Sequence, residues 1–314
     1  MTDILIIKTS SLGDVVHQMP AIVDAARACP GSRISWVVEE SFASLARLHP
    51  LVAEVIPVAT RRWRSQFSVR QTWREMARFR ARLREREFDK VVDTQGLIRS
   101  AIMARVARGE RHGYDGHSIR EPLAARFYDV RHAVNRTLHA VGRNRVLTGL
   151  SLGYRPSDEV DYGLMRAPRT RGERYAVLLH GTSRRAKEWR AEDWIQTGRW
   201  LQAAGLRVVL PWGNDAERML SERLSQAIAG SQVLPRQSLD LTAQVIGNAS
   251  LVVGVDTGLM HLAAAYRVPL VGIYVSTDPG LTGPIGSGRM AVLGGKGRPP
   301  IAGQAIEAIE RLLD

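Results

Sequence analysis

The feature that most constrains this chain is an alternation of short apolar runs with amphipathic stretches that is interrupted once and then restarts. In the first half, ILIIK (4–8), ISWVV (34–38), VAEVIPV (52–58) and KVVD (90–93) read as strands. Apolar residues fall at helical spacing from Val15 to Ala28, and again at Val69, Trp73, Met76 and Leu83, with Arg70, Arg74, Arg78 and Arg82 as a solvent stripe on another face. The stretch YRPSDEVDYGLMRAPRTRG that follows Gly153 is polar, holds two prolines and lacks periodicity, as a linker does. After it come strands at YAVLLH (175–180), RVVLPWG (207–213), Gln232 to Leu234, LVVGVDTG (251–258) and PLVGIY (269–274). Helical patterns separate them at 191–204, 215–228, 239–248 and 259–266, and an amphipathic helix closes the chain at 301–313. Strands alternating with helices build parallel sheets, and two such runs around a linker predict an α/β protein of two doubly wound, Rossmann-like domains facing a central cleft. The expected boundaries are an N-terminal domain at 1–152, a linker at 153–172, a C-terminal domain at 173–300, and a helix at 301–314 packing back toward the N-terminal domain.

Composition narrows the function. A length of 314 residues suits two domains, and 45% hydrophobic with 24% charged residues excludes disordered and fibrous classes. The single cysteine, Cys29, removes any disulfide framework and fits a reducing compartment. The start, MTDILIIKTSSLGD, lacks the basic leader of a signal peptide, and no apolar stretch approaches the roughly 20 residues of a membrane span. A cytoplasmic location is expected. The net charge of +13 is uneven: residues 1–150 hold 25 Lys/Arg against 15 Asp/Glu, net +10, and the remainder is net +3. Arg61 to Arg86 alone carries ten arginines against Glu75 and Glu85. Such asymmetry points to an anionic partner: nucleic acid, an acidic membrane surface or a phosphorylated ligand. Only four of the basic residues are lysine, so arginine reads equally well as the ordinary surface cation of this chain.

The motifs exclude several chemistries. No GxGxxG follows the first strand and no GxxxxGK[ST] occurs, which leaves dinucleotide dehydrogenases and P-loop NTPases unsupported. No DxD and no transition-metal spacing is present, so no metal site is expected. Polar clusters fall instead at carboxyl ends of strands, where open α/β sheets bind ligands. In Lys8-Thr9-Ser10-Ser11-Leu12-Gly13-Asp14, Gly13 allows a tight turn, and Asp14 reads either as a helix-capping residue or as a general base. His180-Gly181-Thr182-Ser183 with Lys187 suits phosphate oxygens, or is a solvated loop; His180 itself reads as a satisfied strand-end residue. Asp256-Thr257-Gly258-Leu259-Met260-His261 runs a buried strand into a helix whose unpaired amides attract anions. Asp256 then either caps that helix or faces sugar hydroxyls. Glu217, after Trp212-Gly213, either binds a ribose or is an exposed helix-start carboxylate. One base, a phosphate cradle and a cation, with no DxD, fit a metal-independent sugar-nucleotide transferase.

The blocks KTSSLGDVVHQMPA, WVVEE, IPVATRRWR, DTQGLIRSA, HGTSRRAKEW, LPWG and VDTGLMHLAAA occur in order along nearly the whole chain and resemble the heptosyltransferases, family 9 of the GT-B glycosyltransferases. WVVEE, RRWR and QGLIRSA look like the enzymes that add the first heptose of the lipopolysaccharide core rather than the second. The resemblance implies inverting transfer of heptose from ADP-heptose to the Kdo of Kdo2-lipid A, with no cofactor, at the anionic cytoplasmic face of the inner membrane. It implies that Asp14 is the base in a turn formed by Ser10 and Gly13. Thr182, Ser183, Lys187, Glu217, Asp256, Thr257, Gly258 and His261 would hold the donor. Arg61, Arg62, Arg64, Arg120, His139 and Arg143 would meet the anionic acceptor. Gln237 stands where the family often places an apolar residue against the adenine, and Met260 replaces a frequent serine. A heptosyltransferase acting on a later core acceptor is the neighbouring alternative. A nucleic-acid-binding protein is the alternative from another class, although no RNA-recognition signature accompanies the arginine run and no nucleic-acid partner is expected.

Overall fold

The computed structural model describes residues 2–166, 174–182 and 184–314. Contacts divide the chain into two units, Met1–Gly163 and Leu164–Asp314. In the first, β1 (Asp3–Ile7), α1 (Leu12–Ala28), β2 (Arg33–Glu39), α2 (Ala43–Ala46), β3 (Glu54–Val58), α3 (Thr60–Ser65), α4 (Arg70–Arg84), β4 (Glu87–Asp93), α5 (Ile98–Val106), β5 (Arg108–Tyr114), β6 (Val130–His132) and α6 (Ala140–Leu152) follow one another. The six strands form one sheet in the order β3-β2-β1-β4-β5-β6, parallel throughout. Ile4, Leu5, Ile6 and Ile7 are buried without a break, as a central parallel strand covered on both faces requires. α1 and α6 pack together, tied by a buried ion pair from Arg145 Nε to Asp24 Oδ2 at 2.6 Å.

Residues 153–163, expected as linker, pack on this first unit. Arg145 also donates to the carbonyls of Ser157 at 2.9 Å and Glu159 at 2.8 Å, and Tyr162 is buried. The division at Gly163/Leu164 lies inside the expected 153–172, and 167–173 lie outside the described residues.

The second unit carries β7 (Tyr175–Leu179), α7 (Ala191–Ala203), β8 (Arg207–Leu210), α8 (Asp215–Ala227), β9 (Gln232–Val233), α9 (Leu239–Asn248), β10 (Leu251–Val255), α10 (Gly258–Ala265), β11 (Leu270–Tyr274), β12 (Met290–Gly294) and α11 (Ala302–Leu313). Its sheet, β12-β11-β10-β7-β8-β9, is also parallel throughout. Trp194, Leu201, Val208, Leu224, Val253 and Ile273 fill the core on one face. The apolar face of α11, expected to pack toward the N-terminal domain, is taken up by its own unit: Ala305, Ile309 and Leu312 belong to that same core, and the helix packs on α7, β11 and β12. Both units are α/β and doubly wound, with the strand order reversing between β1 and β4 in one and between β7 and β10 in the other.

The sequence reading missed β5, β6 and β12. RGERHGY alternates charges with a histidine and two glycines, so it offers no apolar run, and only its last three residues are buried. β6 and β12 are edge strands with no fully buried residue. An edge strand is recruited by main-chain pairing, which periodicity does not report.

Candidate active site

In an open parallel sheet the two loops that leave the carboxyl ends on either side of the strand-order reversal spread apart and leave a crevice. In the first unit these loops follow β1 and β4. Asp93 closes β4 and is fully buried; its Oδ1 accepts from the amides of Gln95 at 2.9 Å and Gly96 at 3.2 Å, and its Oδ2 from the Tyr128 hydroxyl at 2.7 Å. Burial pushes the Asp93 carboxyl above its ordinary range, opposed by these hydrogen bonds. Tyr128 reaches it because residue 113 is glycine: a Cβ there would stand 2.2 Å from the tyrosine ring. With its backbone fixed, Gln95 turns Oε1 onto the amides of Thr9 at 3.0 Å and Ser10 at 3.2 Å and so shapes the turn after β1. Ser10 Oγ accepts from Arg99 at 3.1 Å.

Asp14 occupies the first turn of α1, beyond Gly13. Its Oδ2 accepts from Ser11 N at 2.7 Å and Ser11 Oγ at 3.0 Å, the carboxylate half of a capping box. Capping therefore uses one oxygen and leaves Oδ1 directed at Lys8, 3.9 Å away. The capping and catalytic readings of Asp14 are compatible in one geometry. Lys8 Nζ donates to Thr94 O at 3.0 Å and Asn144 Oδ1 at 3.4 Å. Burial lowers its ammonium pKa from the ordinary value, while the charges of Asp14 and Asp93 resist that shift. Lys8, Asp14, Gln95, Tyr114, Arg120 and Arg143 line a cavity of about 110 Å³. The Arg143 guanidinium donates to Ser118 O at 2.6 Å and lies 4.8 Å over the Tyr114 ring. One carboxylate oxygen thus faces Lys8, in a cavity that Arg120 and Arg143 also line. That arrangement can accept a proton from a hydroxyl whose owner carries negative charge.

The remaining expected acceptor residues do not line this cavity. His139 caps α6, its Nδ1 accepting from Val141 N at 3.2 Å, with its ring edge-on to His17. Arg61, Arg62 and Arg64 lie on α3, at the carboxyl end of β3. Arg62 is held by Glu40 at 2.9 Å and Glu75 at 2.8 Å, which raises its pKa further, and Arg61 stands over the Phe42 ring. Arg64 is exposed.

In the second unit the corresponding loops follow β7 and β10. Lys187 Nζ meets Asp256 Oδ2 at 2.6 Å, and Thr277 Oγ1 donates to the same oxygen at 2.7 Å. Thr182 Oγ1 reaches the Asp256 carbonyl at 3.4 Å. Thr257 is the N-cap of α10 and Gly258 its first residue, so the positive end of that helix opens beside the Lys187 ammonium. His261 is buried one turn along. Ser183 lies outside the described residues.

Glu217 stands in the first turn of α8, whose N-cap Asn214 accepts from Glu217 N at 3.0 Å. Its Oε2 accepts from Gly213 N at 2.7 Å, and its carboxylate lies directly against Gly181, where a Cβ would come within 2.6 Å of Glu217 Cδ. Glycine at 181 therefore keeps this carboxylate level with the β7 loop. His180 is buried, bonded through Nε2 to Ser221 Oγ at 2.7 Å, and burial brings its pKa down to about 4. Its Nδ1 is buried with no hydrogen-bond partner among the described residues, so the expectation of a satisfied strand-end residue holds for one ring nitrogen only. Gln237 is half-buried and its Oε1 has no partner among the described residues. Asn144, against Lys8, and Thr277, against Asp256, carry no sequence signal, and Thr94-Gln95 lies in the DTQGLIRSA block with nothing local to mark its contacts. Position after β4 and β11 is the signal that locates Gln95 and Thr277, and only sheet order supplies it.

Comparison with known proteins agrees with this geometry. The family model for glycosyltransferase family 9 (heptosyltransferase) matches residues 76–303. Lipopolysaccharide heptosyltransferase 1 of Escherichia coli strain K12 is 44% identical over 294 residues, covering 91% of this chain and 92% of that protein. The E. coli heptosyltransferase WaaC solved with ADP superposes with a TM-score of 0.92 at 40% identity, over 99% of both chains. The same enzyme with ADP-2-deoxy-2-fluoro heptose gives 0.90 at 39%, again over 99% of each. Two parallel six-stranded α/β units are the GT-B architecture of those structures. This chain is therefore an enzyme of glycosyltransferase family 9, the heptosyltransferases.

Proposed function

We propose that this enzyme transfers L-glycero-D-manno-heptose from ADP-heptose to the Kdo of Kdo2-lipid A, with inversion at the anomeric carbon and without a metal ion, as the first heptosyl addition of the lipopolysaccharide core. The observation that carries the reading is a small cavity lined by the Asp14 carboxylate together with Lys8, Arg120 and Arg143, with Lys8 3.9 Å from Asp14 Oδ1. A Kdo acceptor brings both a hydroxyl to be deprotonated and a carboxylate to be neutralised. The donor side is supported by relatives solved with ADP and with an ADP-heptose analogue, and by heptosyltransferase 1 as the name of a relative that matches nearly end to end.

In this mechanism Asp14 Oδ1 takes the proton from the Kdo hydroxyl as its oxygen attacks the anomeric carbon. The new C–O bond forms as the bond to the β-phosphate oxygen breaks, and ADP leaves with the electron pair. Oδ2, bonded to Ser11, keeps the carboxylate oriented. Lys187 and the start of α10 take the leaving charge, a role that in other transferases falls to a divalent cation. Lys187 is bonded to Asp256, so donor entry exchanges part of that pair for phosphate. Glu217 meets the ribose, and Asp256 turns to sugar hydroxyls. The acceptor is lipid-linked, which places the enzyme peripherally on the cytoplasmic face of the inner membrane; among the described residues no helix is long and apolar enough to cross a membrane.

Incubation with ADP-heptose and Kdo2-lipid A, read by mass spectrometry, should show one added heptose. Asp14→Ala should lower turnover by about 10²–10⁴-fold while ADP still binds. Product only from an already heptosylated acceptor would reject the acceptor assignment. Activity lost in EDTA and restored by Mg²⁺ would reject the metal-independent step.

A further inference from the structure

We propose that the open apolar groove between α3, α4 and α5 docks the enzyme on an anionic phospholipid bilayer, taking one phospholipid acyl chain while the surrounding arginines lie on the headgroups. This rests on the peripheral-membrane part of the reading above and assigns it a surface and a ligand.

The groove has a volume of about 460 Å³ and is lined chiefly by Trp63, Trp73, Met76, Phe79, Ile102 and Met103. It exists because α4 buries only Thr72 and Leu83. The rest of its apolar face, together with the outward side of α5, has nothing over it from the first unit: Trp73 is 50% and Ile102 48% exposed, and Phe67 beside Trp73 is 55% exposed. Contiguous apolar surface of this kind marks an interaction site. Its aromatic rim is already satisfied in its polar atoms, with Trp63 Nε1 donating to Glu75 at 2.9 Å and Trp73 Nε1 to Phe67 O at 2.9 Å. The rings therefore offer carbon to whatever enters, with no hydrogen bond left to satisfy.

Charge identifies the partner. Arg70, Arg74, Arg78, Arg80 and Arg84 of α4 make no ion pair among the described residues, whereas Arg62, Arg82 and Arg86 nearby are all held by glutamates. An amphipathic helix with unpaired arginines above and aromatic and aliphatic side chains below is the pattern that lies in a membrane interface. Nucleic acid fits less well. Single-stranded nucleic acid needs a charged channel that tracks its backbone, and this groove is lined by apolar side chains apart from Thr60, Arg80 and Arg99.

The test uses the whole protein with two vesicle types, phosphatidylcholine alone and phosphatidylcholine with phosphatidylglycerol in equal parts. Flotation should show binding to the second only, weakening as salt rises. Phosphatidylglycerol brominated in its acyl chains should quench tryptophan fluorescence, and Trp63→Phe with Trp73→Phe should abolish that quenching while binding persists. The triple variant Arg70→Ser, Arg74→Ser, Arg78→Ser should lose about a hundredfold in partitioning, from the usual contribution of each basic residue near an acidic leaflet. The same triple variant should keep wild-type turnover on a deacylated, water-soluble acceptor. Equal binding to both vesicles, binding without quenching, or a preference for single-stranded nucleic acid in direct competition would each overturn the proposal. Failure of the wild-type enzyme on the soluble acceptor, with vesicle binding and quenching intact, would reject the catalytic reading and leave the docking surface standing.

Discussion

Gly181→Ala offers a one-atom probe of the donor site. The new Cβ would stand 2.6 Å from Glu217 Cδ and 2.8 and 2.9 Å from its two oxygens. Ordinary contact begins near 3.4 Å, so the carboxylate must retreat by about 0.8 Å, the difference between 3.4 and 2.6 Å. A hydrogen bond of 2.7 Å to Gly213 N stretched by that amount passes beyond the usual 3.2 Å limit. Glu217 ends in a flexible chain at the first turn of α8, so folding should suffer little and melting should shift by no more than a few degrees. Binding is another matter. If Glu217 holds the ribose, a displaced carboxylate loses a charged hydrogen bond worth about 1.5–3 kcal/mol, or roughly 10- to 150-fold in affinity for ADP. Calorimetric titration of ADP into the variant reads this directly, with Glu217→Ala as the reference. Unchanged affinity in both variants, with melting unchanged, would remove Glu217 from the donor site.

Further outcomes follow from the same geometry. Arg145→Ala should strand the buried Asp24 carboxylate and cost about 3–5 kcal/mol, seen as loss of hydrogen-exchange protection in β1 and β2; protection equal to wild type would mean the pair is energetically neutral. His180 and His49 are both held near pKa 4 by burial, below the ordinary value of about 6.5. The unfolded chain binds their protons first, so their contribution is full above about pH 6.5 and is lost as pH falls toward 4. Each should remove up to about 3 kcal/mol over that window. His180→Gln should flatten the dependence of melting temperature on pH there, and an unchanged slope would contradict the assignment.

How much of this was legible beforehand depended on the kind of information involved. ILII, LVVGV and LVGIY announce themselves because a strand covered on both faces is apolar along its buried length. Asp14, Lys187, Glu217 and Asp256 could be picked out because each sits in the turn or loop after a readable strand or in the first turn of the helix that follows. RGERHGY could not be read, since its place in the sheet comes from pairing with β4 rather than from its own pattern. The arginines expected to meet an acceptor differ in their surroundings: Arg120 and Arg143 line the Asp14 cavity, while Arg62, on α3, is held by Glu40 and Glu75.

The sequence by itself determined the class of fold, most of its buried strands and the loops that hold the candidate residues, because local periodicity and turn chemistry are properties of neighbouring residues. Tertiary structure alone decided which of those loops meet. Gln95 shapes the turn at Thr9 and Ser10 across 86 and 85 residues, and Lys187 finds Asp256 across 69. Such pairings follow from strand order at the reversal points of two parallel sheets, and strand order is set by how whole elements pack rather than by any single run of residues.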